Sequence, residues 1–283
     1  MKEVLKNGVS RRLFPERGGG GLTGETFLVE YNKQKYVLRK CDSLAKARYY
    51  ESLSDRFGKY GFFPKFLGRF GKNVFYEYIE GRDLRKRGER LENVKQVGGI
   101  LSRINDFEFK GSFADHTNTF LDELESGKYK SLGKVEASRK KRGLGKIKKK
   151  VISTNEKGCI LQVLDRLKKD IGPKIVYECG DPTPGNFRIR DGRVYLVDIE
   201  SIKPRYKGFG ISKIFLKWVT NKNKRDKFIA GYGESKFKFY DSKYKDFMDL
   251  NFLIQRAWFE VQTGKDYEKS LVMIRELMGR LGG

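Results

Sequence analysis

The hydrophobic period of this chain changes near Gly81, and that change restricts the folds open to it. ETFLVEY places Phe27, Val29 and Tyr31 on one face, KYVLRK alternates as well, and NKQK turns between them, which predicts a hairpin over residues 25–40. KFLGRF and NVFYEYI predict a second hairpin about GKN. Between the hairpins, SLAKARYYESLSDRF reads as a helix that Ser43 can cap, with Leu44, Ala47, Glu51 and Ser54 on one side. From Leu84 onward the spacing is helical, as in Leu91, Val94, Val97, Leu101 and Ile104. NTFLDELES, GCILQVLDRLKKD, SKIFLKWV, RDKFIAGYG, KDFMDLNFLIQRAWFEVQ and YEKSLVMIRELMGRL continue it. Two short strands interrupt the helices, around GNFRIR and RVYLVDI, with Asp191-Gly192 as their turn. The expected fold is α+β and two-lobed. Residues 1–80 form a small antiparallel sheet with one helix, the hinge lies about residues 76–83, and residues 84–283 are mainly helical.

The 283 residues suffice for one large domain or for a two-lobed unit with two small cores. No run of about 18 apolar residues occurs, so no membrane span is expected. The basic start MKEVLKNGVSRR lacks the apolar core of a signal peptide. Cys41, Cys159 and Cys179 stand at unrelated spacings, with neither a disulfide framework nor a zinc pattern. A cytoplasmic protein with reduced thiols is expected. The net charge is +25, from 61 basic and 36 acidic residues, and it is unevenly spread. The segment Lys128–Lys150 alone holds 11 Lys/Arg and one Glu. Such a run is a solvated insert or a segment that attracts polyanions, nucleic acid among them.

The chemistry concentrates in YECGDPTPGNFRIRDGRVYLVDIES. Asp181 and Asn186 flank a loop stiffened by Pro182, Pro184 and Gly185, and Asp198 ends the apolar run VYLV. A carboxylate, an amide and a second carboxylate suit magnesium, which takes hard oxygen ligands and few from protein. A further carboxylate can position a hydroxyl and accept its proton during phosphoryl transfer.

CGDPTPGN followed by VYLVDIES resembles the catalytic loop and metal-binding turn of the aminoglycoside phosphotransferase and choline kinase family, relatives of the protein kinases. The family pattern is H-G-D-x-x-x-x-N and then a strand ending I-D-(W/F)-E. This chain matches it at Gly180, Asp181, Pro184, Gly185, Asn186, Asp198 and Glu200. The resemblance implies a protein-kinase-like fold and an ATP-dependent phosphotransferase acting on a hydroxyl of a small molecule, such as a sugar, nucleoside or amino alcohol. It implies Asp181 as catalytic base, within a catalytic loop at 179–186. Asn186 and Asp198 are implied as Mg²⁺ ligands, Asp198 within a metal turn at 198–200. GGGGLTGETFLVEY looks like the loop over the phosphates, which implies nucleotide contacts from Gly20, Gly21, Leu22, Thr23 and Gly24. Arg39 stands where such kinases place the phosphate-binding cation, with Glu51 implied as its holder. VFYEYIEGRDL looks like the hinge, with backbone groups of Glu77, Tyr78 and Ile79 on the adenine edge and Tyr76 behind. The match runs in order from about residue 14 to residue 202.

The chain departs from the pattern in places. Cys179 replaces the His before Gly-Asp, Asn105 stands where the family often has His, and Thr183 stands where protein kinases carry Lys. GFGISKIFL lacks the Asp of the family's D-L-A-like element, which leaves open what supports the catalytic loop. Family acceptors such as choline are cations, usually surrounded by acidic residues. The positive field here favours a neutral or anionic acceptor unless Glu200, Glu123 or Glu125 overrides it locally. Two other readings stand beside the kinase: a nucleic-acid-binding protein on a kinase-like scaffold, and a pseudokinase that binds nucleotide without turnover.

Overall fold

In the computed structural model, residues 2–12, 25–86, 90–129 and 150–282 are described. The N-terminal sheet has five antiparallel strands in the order β1-β2-β3-β5-β4. They are β1 (Val9–Arg12), β2 (Glu25–Tyr31), β3 (Gln34–Lys40), β4 (Phe66–Phe70) and β5 (Asn73–Glu77), and the short helix α1 (Lys2–Asn7) precedes them. The β2–β3 turn is tighter than NKQK implied. Asn32 and Lys33 alone make it, both at positive φ, and Gln34 and Lys35 already belong to β3. That is the two-residue turn whose twist matches a hairpin.

Helix α2 (Leu44–Phe57) starts where Ser43 accepts from the Lys46 N–H, as expected of a cap. Its buried face matches the expected one only at Ala47 and Ser54. Ala47, Tyr50, Leu53, Ser54 and Phe57 turn inward, whereas Leu44 is 39 % exposed and Glu51 lies partly exposed. Tyr50 and Phe57 carry more apolar area than Leu44, and they set the rotation of the helix.

The rest of the chain is mainly helical. Helices α3 (Leu91–Asn105), α4 (Thr117–Ser126) and α5 (Thr154–Ile171) come first. Helices α6 (Phe209–Lys217), α7 (Lys222–Tyr232), α8 (Glu234–Phe237), α9 (Ser242–Thr263) and α10 (Glu268–Arg280) follow the catalytic segment. Two small sheets lie between these groups: β6 (Arg82–Asp83) with β8 (Phe187–Arg190) and β9 (Arg193–Leu196), and β7 (Ile175–Cys179) with β10 (Ile202–Tyr206). Strands β8 and β9 and their Asp191-Gly192 turn are the pair expected. The β7–β10 pair is additional, and it brackets residues 180–201 at both ends.

One core crosses the waist. Tyr50, Phe57, Val74 and Tyr76 of the first lobe pack in the same cluster as Leu101, Phe187, Leu196 and Ile254 of the second. A small separate cluster, Val4, Val29, Leu38 and Phe75, covers the other face of the sheet. Helices α3 and α7 touch backbone to backbone: a Cβ on Gly98 would stand 2.2 Å from the Phe228 carbonyl oxygen, and one on Gly231 would stand 1.8 Å from that of Lys95. No helix among the described residues is long and apolar enough to cross a membrane.

Candidate active site

The β7 strand delivers Cys179, Gly180 and Asp181 to the waist, and a short turn from Pro184 to Asn186 leads into β8. The loop is internally braced: the Thr183 N–H donates to the Asp181 carbonyl (2.8 Å) and the Asn186 N–H to that of Thr183 (2.9 Å). The Asn186 amide nitrogen donates to the Asp181 carbonyl (2.7 Å) and to its Oδ2 (3.0 Å). Val197 N–H then donates to the Asn186 carbonyl at 2.9 Å, which brings the strand end at Asp198 beside the loop. Asp181, Asn186 and Asp198, separated in sequence, therefore meet at one place.

Support for this loop comes from α6, the element that lacks the family's Asp. Lys213 Nζ donates to Asp181 Oδ1 (2.5 Å) and to the Gly180 carbonyl (3.2 Å). Trp218, just past the helix, donates its indole N–H to the Pro182 carbonyl at 3.0 Å. Sequence reasoning missed Lys213, which lies 32 residues from its partner. The available signal was Phe209, Lys213 and Lys217 at spacing four on a short helix that is otherwise mostly apolar. Asp181 keeps 45 % of its side chain exposed, so a substrate can reach it.

Cys179 is fully buried, and burial pushes its thiol up to about 12. It stays protonated and donates toward Ser201 Oγ at 3.4 Å, while the Ser201 hydroxyl donates to the Asp198 carbonyl at 2.8 Å. The thiol thus ties the catalytic loop to the Asp198 turn. Asn105 also finds a structural use: it donates to the Tyr177 carbonyl (3.0 Å) and to Glu178 Oε2 (2.9 Å), and accepts from the Tyr232 hydroxyl (2.9 Å).

From the first lobe, Arg39 on β3 reaches the same place. Its guanidinium lies 3.0 Å from Glu200 and 3.7 Å from Asp198 Oδ1, and 5.5 Å from the Tyr50 ring centre. The expected Arg39–Glu51 pair does not form. Glu51 accepts from Arg69 Nε at 2.7 Å instead, because Tyr50 holds the inward position on α2. Tyr50 in turn donates to Glu200 at 2.9 Å, so α2 contacts the catalytic turn through a phenol. At the expected hinge, Tyr76 and Ile79 are buried and Tyr78 is half-buried. The Glu77 N–H is already committed to the Lys65 carbonyl (2.9 Å). Gly20, Gly21, Leu22, Thr23 and Gly24 lie outside the described residues, as do residues 130–149 of the basic segment.

Burial pushes the Asp198 carboxyl up to about 6; Arg39 pulls it back, and the neighbouring Glu200 and Asp181 add to the push. A divalent cation between these carboxylates would relieve that cost. No group of three or more His, Cys, Asp or Glu among the described residues forms a metal cluster. The Asp198 carboxylate and the amide oxygen of Asn186, whose nitrogen is already bonded, are oxygen donors of the kind that would suit magnesium.

The fold is that of choline kinases and aminoglycoside phosphotransferases. The choline kinase LicA from Streptococcus pneumoniae superposes with a TM-score of 0.65 at 16 % identity, covering 99 % of this chain and 95 % of that one. An ethanolamine kinase from Plasmodium vivax gives 0.61 at 13 % identity, over 96 % and 83 % of the two chains. Spectinomycin phosphotransferase APH(9)-Ia, solved with ADP and spectinomycin, gives 0.59 at 11 % identity, over 99 % and 96 %. No protein-family model matches the chain. No curated protein sequence matches it either.

Proposed function

We propose that this protein is an ATP-dependent phosphotransferase that phosphorylates a hydroxyl of a small molecule. The observation that carries the reading is the Asp181 carboxylate, exposed to a substrate and held on one oxygen by Lys213 and on the other by Asn186. Asp198, Asn186 and Arg39 stand beside it. The structural neighbours named as kinases, one solved with ADP, support it.

In this reading the acceptor hydroxyl lies against Asp181. Its oxygen bonds to the γ-phosphorus as the bond from that phosphorus to the bridging oxygen breaks. The electron pair leaves on ADP, and the hydroxyl proton passes to Asp181. Asn186 and Asp198 would hold Mg²⁺, which when bound neutralises charge on the phosphate oxygens. Arg39 would contact the α- and β-phosphates and the backbone of Glu77 to Ile79 the adenine; Gly20, Gly21, Leu22, Thr23 and Gly24, implied by the resemblance as further nucleotide contacts, lie outside the described residues. Apart from accepting the hydroxyl proton the protein makes and breaks no bonds, so positioning and charge neutralisation carry the rate.

Asp181→Asn keeps the shape of the loop and removes the proton acceptor. The expected result is nucleotide affinity within about threefold of the parent and turnover lower by about 10²-fold or more. Isothermal titration with Mg·ADP and coupled-assay kinetics measure the two. Unchanged turnover in that variant would remove Asp181 from the chemistry. Absence of any turnover in the parent, with nucleotide still bound, would favour the pseudokinase.

A further inference from the structure

The side chains around Asp181 on the α6–α9 side are basic, and the acidic residues that could receive a cation are engaged elsewhere. Glu200 is bonded to Arg39 and Tyr50. Glu123 is buried and accepts from Trp258 (2.7 Å) and Gln262 (3.3 Å). Glu125 accepts from Lys150 and Thr154.

Cations remain. Lys213 touches Asp181, and Lys217 follows one helical turn later on the same face of α6. Lys217 is exposed, and its ammonium lies 5.7 Å from the ring centre of Phe252 on α9. It has no ion-pair partner among the described residues. Arg256, one turn beyond Phe252, is held by Glu260 at 2.8 Å. Beneath them, Arg205 lies 4.5 Å from the Phe209 ring centre and 3.4 Å from Gln255, and its Nε is buried without a partner. Partial desolvation, then the like charges of Lys213 and Arg256, lower the Lys217 pKa against the pull of Asp181 and Glu260, in keeping with the position of Lys217 between Lys213 on α6 and Phe252 on α9.

We propose that the acceptor carries an anionic oxygen group, a carboxylate or a phosphate monoester, beside its reactive hydroxyl, and that Lys217 and Arg256 bind that group. The inference rests on the kinase reading above and deepens it. An anionic acceptor brings negative charge toward the γ-phosphate, and Lys213 and Lys217 offset that repulsion where it arises. Choline and ethanolamine, after which two of the structural neighbours are named, are cations and would meet Lys217 and Arg256 as like charges.

The test uses four small alcohols with Mg·ATP: glycerate, glycerol 3-phosphate, glycerol and ethanolamine. ADP release is followed by coupled assay, and acceptor binding by thermal shift in Mg·ADP. The expected order puts at least one anion about tenfold or more above glycerol in kcat/KM, with ethanolamine last. Which anion leads separates the carboxylate from the phosphate source. Lys217→Glu, at an exposed position, is expected to erase that preference and leave the KM for Mg·ATP within about twofold. If no alcohol is turned over, selective stabilisation by an anion, lost in Lys217→Glu, still supports the inference. Ethanolamine or glycerol ahead of both anions overturns it, as does an anion preference untouched by Lys217→Glu. No anion stabilising the protein, in the absence of turnover, also overturns it. The kinase reading fails separately, through the absence of both Mg·ATP binding and Mg·ATP turnover.

Discussion

At the scale of single residues, Asp181 has two bonded oxygens and still has work to do. A carboxylate offers about four lone-pair sites; Lys213 and Asn186 take one each, and two remain for a hydroxyl. In the proposed reaction Lys213 would be a positioning residue, whose loss would let the carboxylate turn away. Lys213→Ala is expected to lower kcat by about 10- to 100-fold with little change in the KM for Mg·ATP, and Lys213→Arg to restore part of it. Steady-state kinetics on the three proteins check this. That Asp181, Asn186 and Asp198 come together was legible in the sequence, because five and twelve residues separate them and two prolines stiffen the loop. The partner of Arg39 was not. The resemblance pointed to Glu51, and only the rotation of α2 about Tyr50 and Phe57, which turns Glu51 to Arg69 and leaves Arg39 to Glu200, decides otherwise. Cys179 was visible as a departure from the family's His, but its role needs Ser201 and Asp198 beside it.

At the scale of elements, the strands that escaped the sequence are the short and interrupted ones. IKPRY contains Pro204, which argues against a strand wherever an N–H is needed on both sides. It pairs here only with β7, in a two-stranded sheet, so one edge needs no donor. VSRR gains its strand form from pairing with β2 rather than from its own pattern. The β7 strand also carries Glu178, which is fully buried and takes bonds from Asn105 and from the Gly208 N–H (2.8 Å). Burial pushes its carboxyl up to about 7, against the pull of these bonds and of the nearby Arg205 charge. Between about pH 4.5 and 7 the folded chain therefore holds a proton that the unfolded chain has released. This group makes stability fall as pH rises through that window, by about 1.4 kcal/mol per pH unit at most. Glu178→Gln is expected to flatten that slope in chemical denaturation followed from pH 4 to pH 8.

At the scale of the whole molecule, a shape shared over nearly the full chain coexists with identities of 11–16 % to the solved neighbours compared above. Volume and pattern, not identity, are what a core requires. The two-lobed outline was legible because hydrophobic period is a local property; the single core across the waist was not, because it depends on where α2 docks. That docking is polar as well as apolar, with Tyr49 donating to the Ile202 carbonyl at 2.9 Å and Tyr50 to Glu200. The contact of α3 with α7 gives the second lobe a lever. Gly231 precedes Tyr232, which holds Asn105, which holds Glu178, three residues before Asp181. A methyl at Gly231 has to move away from the Lys95 carbonyl by about 1 Å, and a displacement of that size at a catalytic group can cost about 10²-fold in rate. Helix propensity favours Ala over Gly by about 1 kcal/mol, but overpacking costs about 1–3 kcal/mol. Gly231→Ala should thus lower both Tm and kcat, whereas Gly158→Ala on α5, where a Cβ meets nothing within 4 Å, should raise Tm and leave kcat alone. Two identical substitutions with opposite outcomes would show that force applied at a helix crossing is transmitted, through a phenol and an amide, to the loop that carries Asp181.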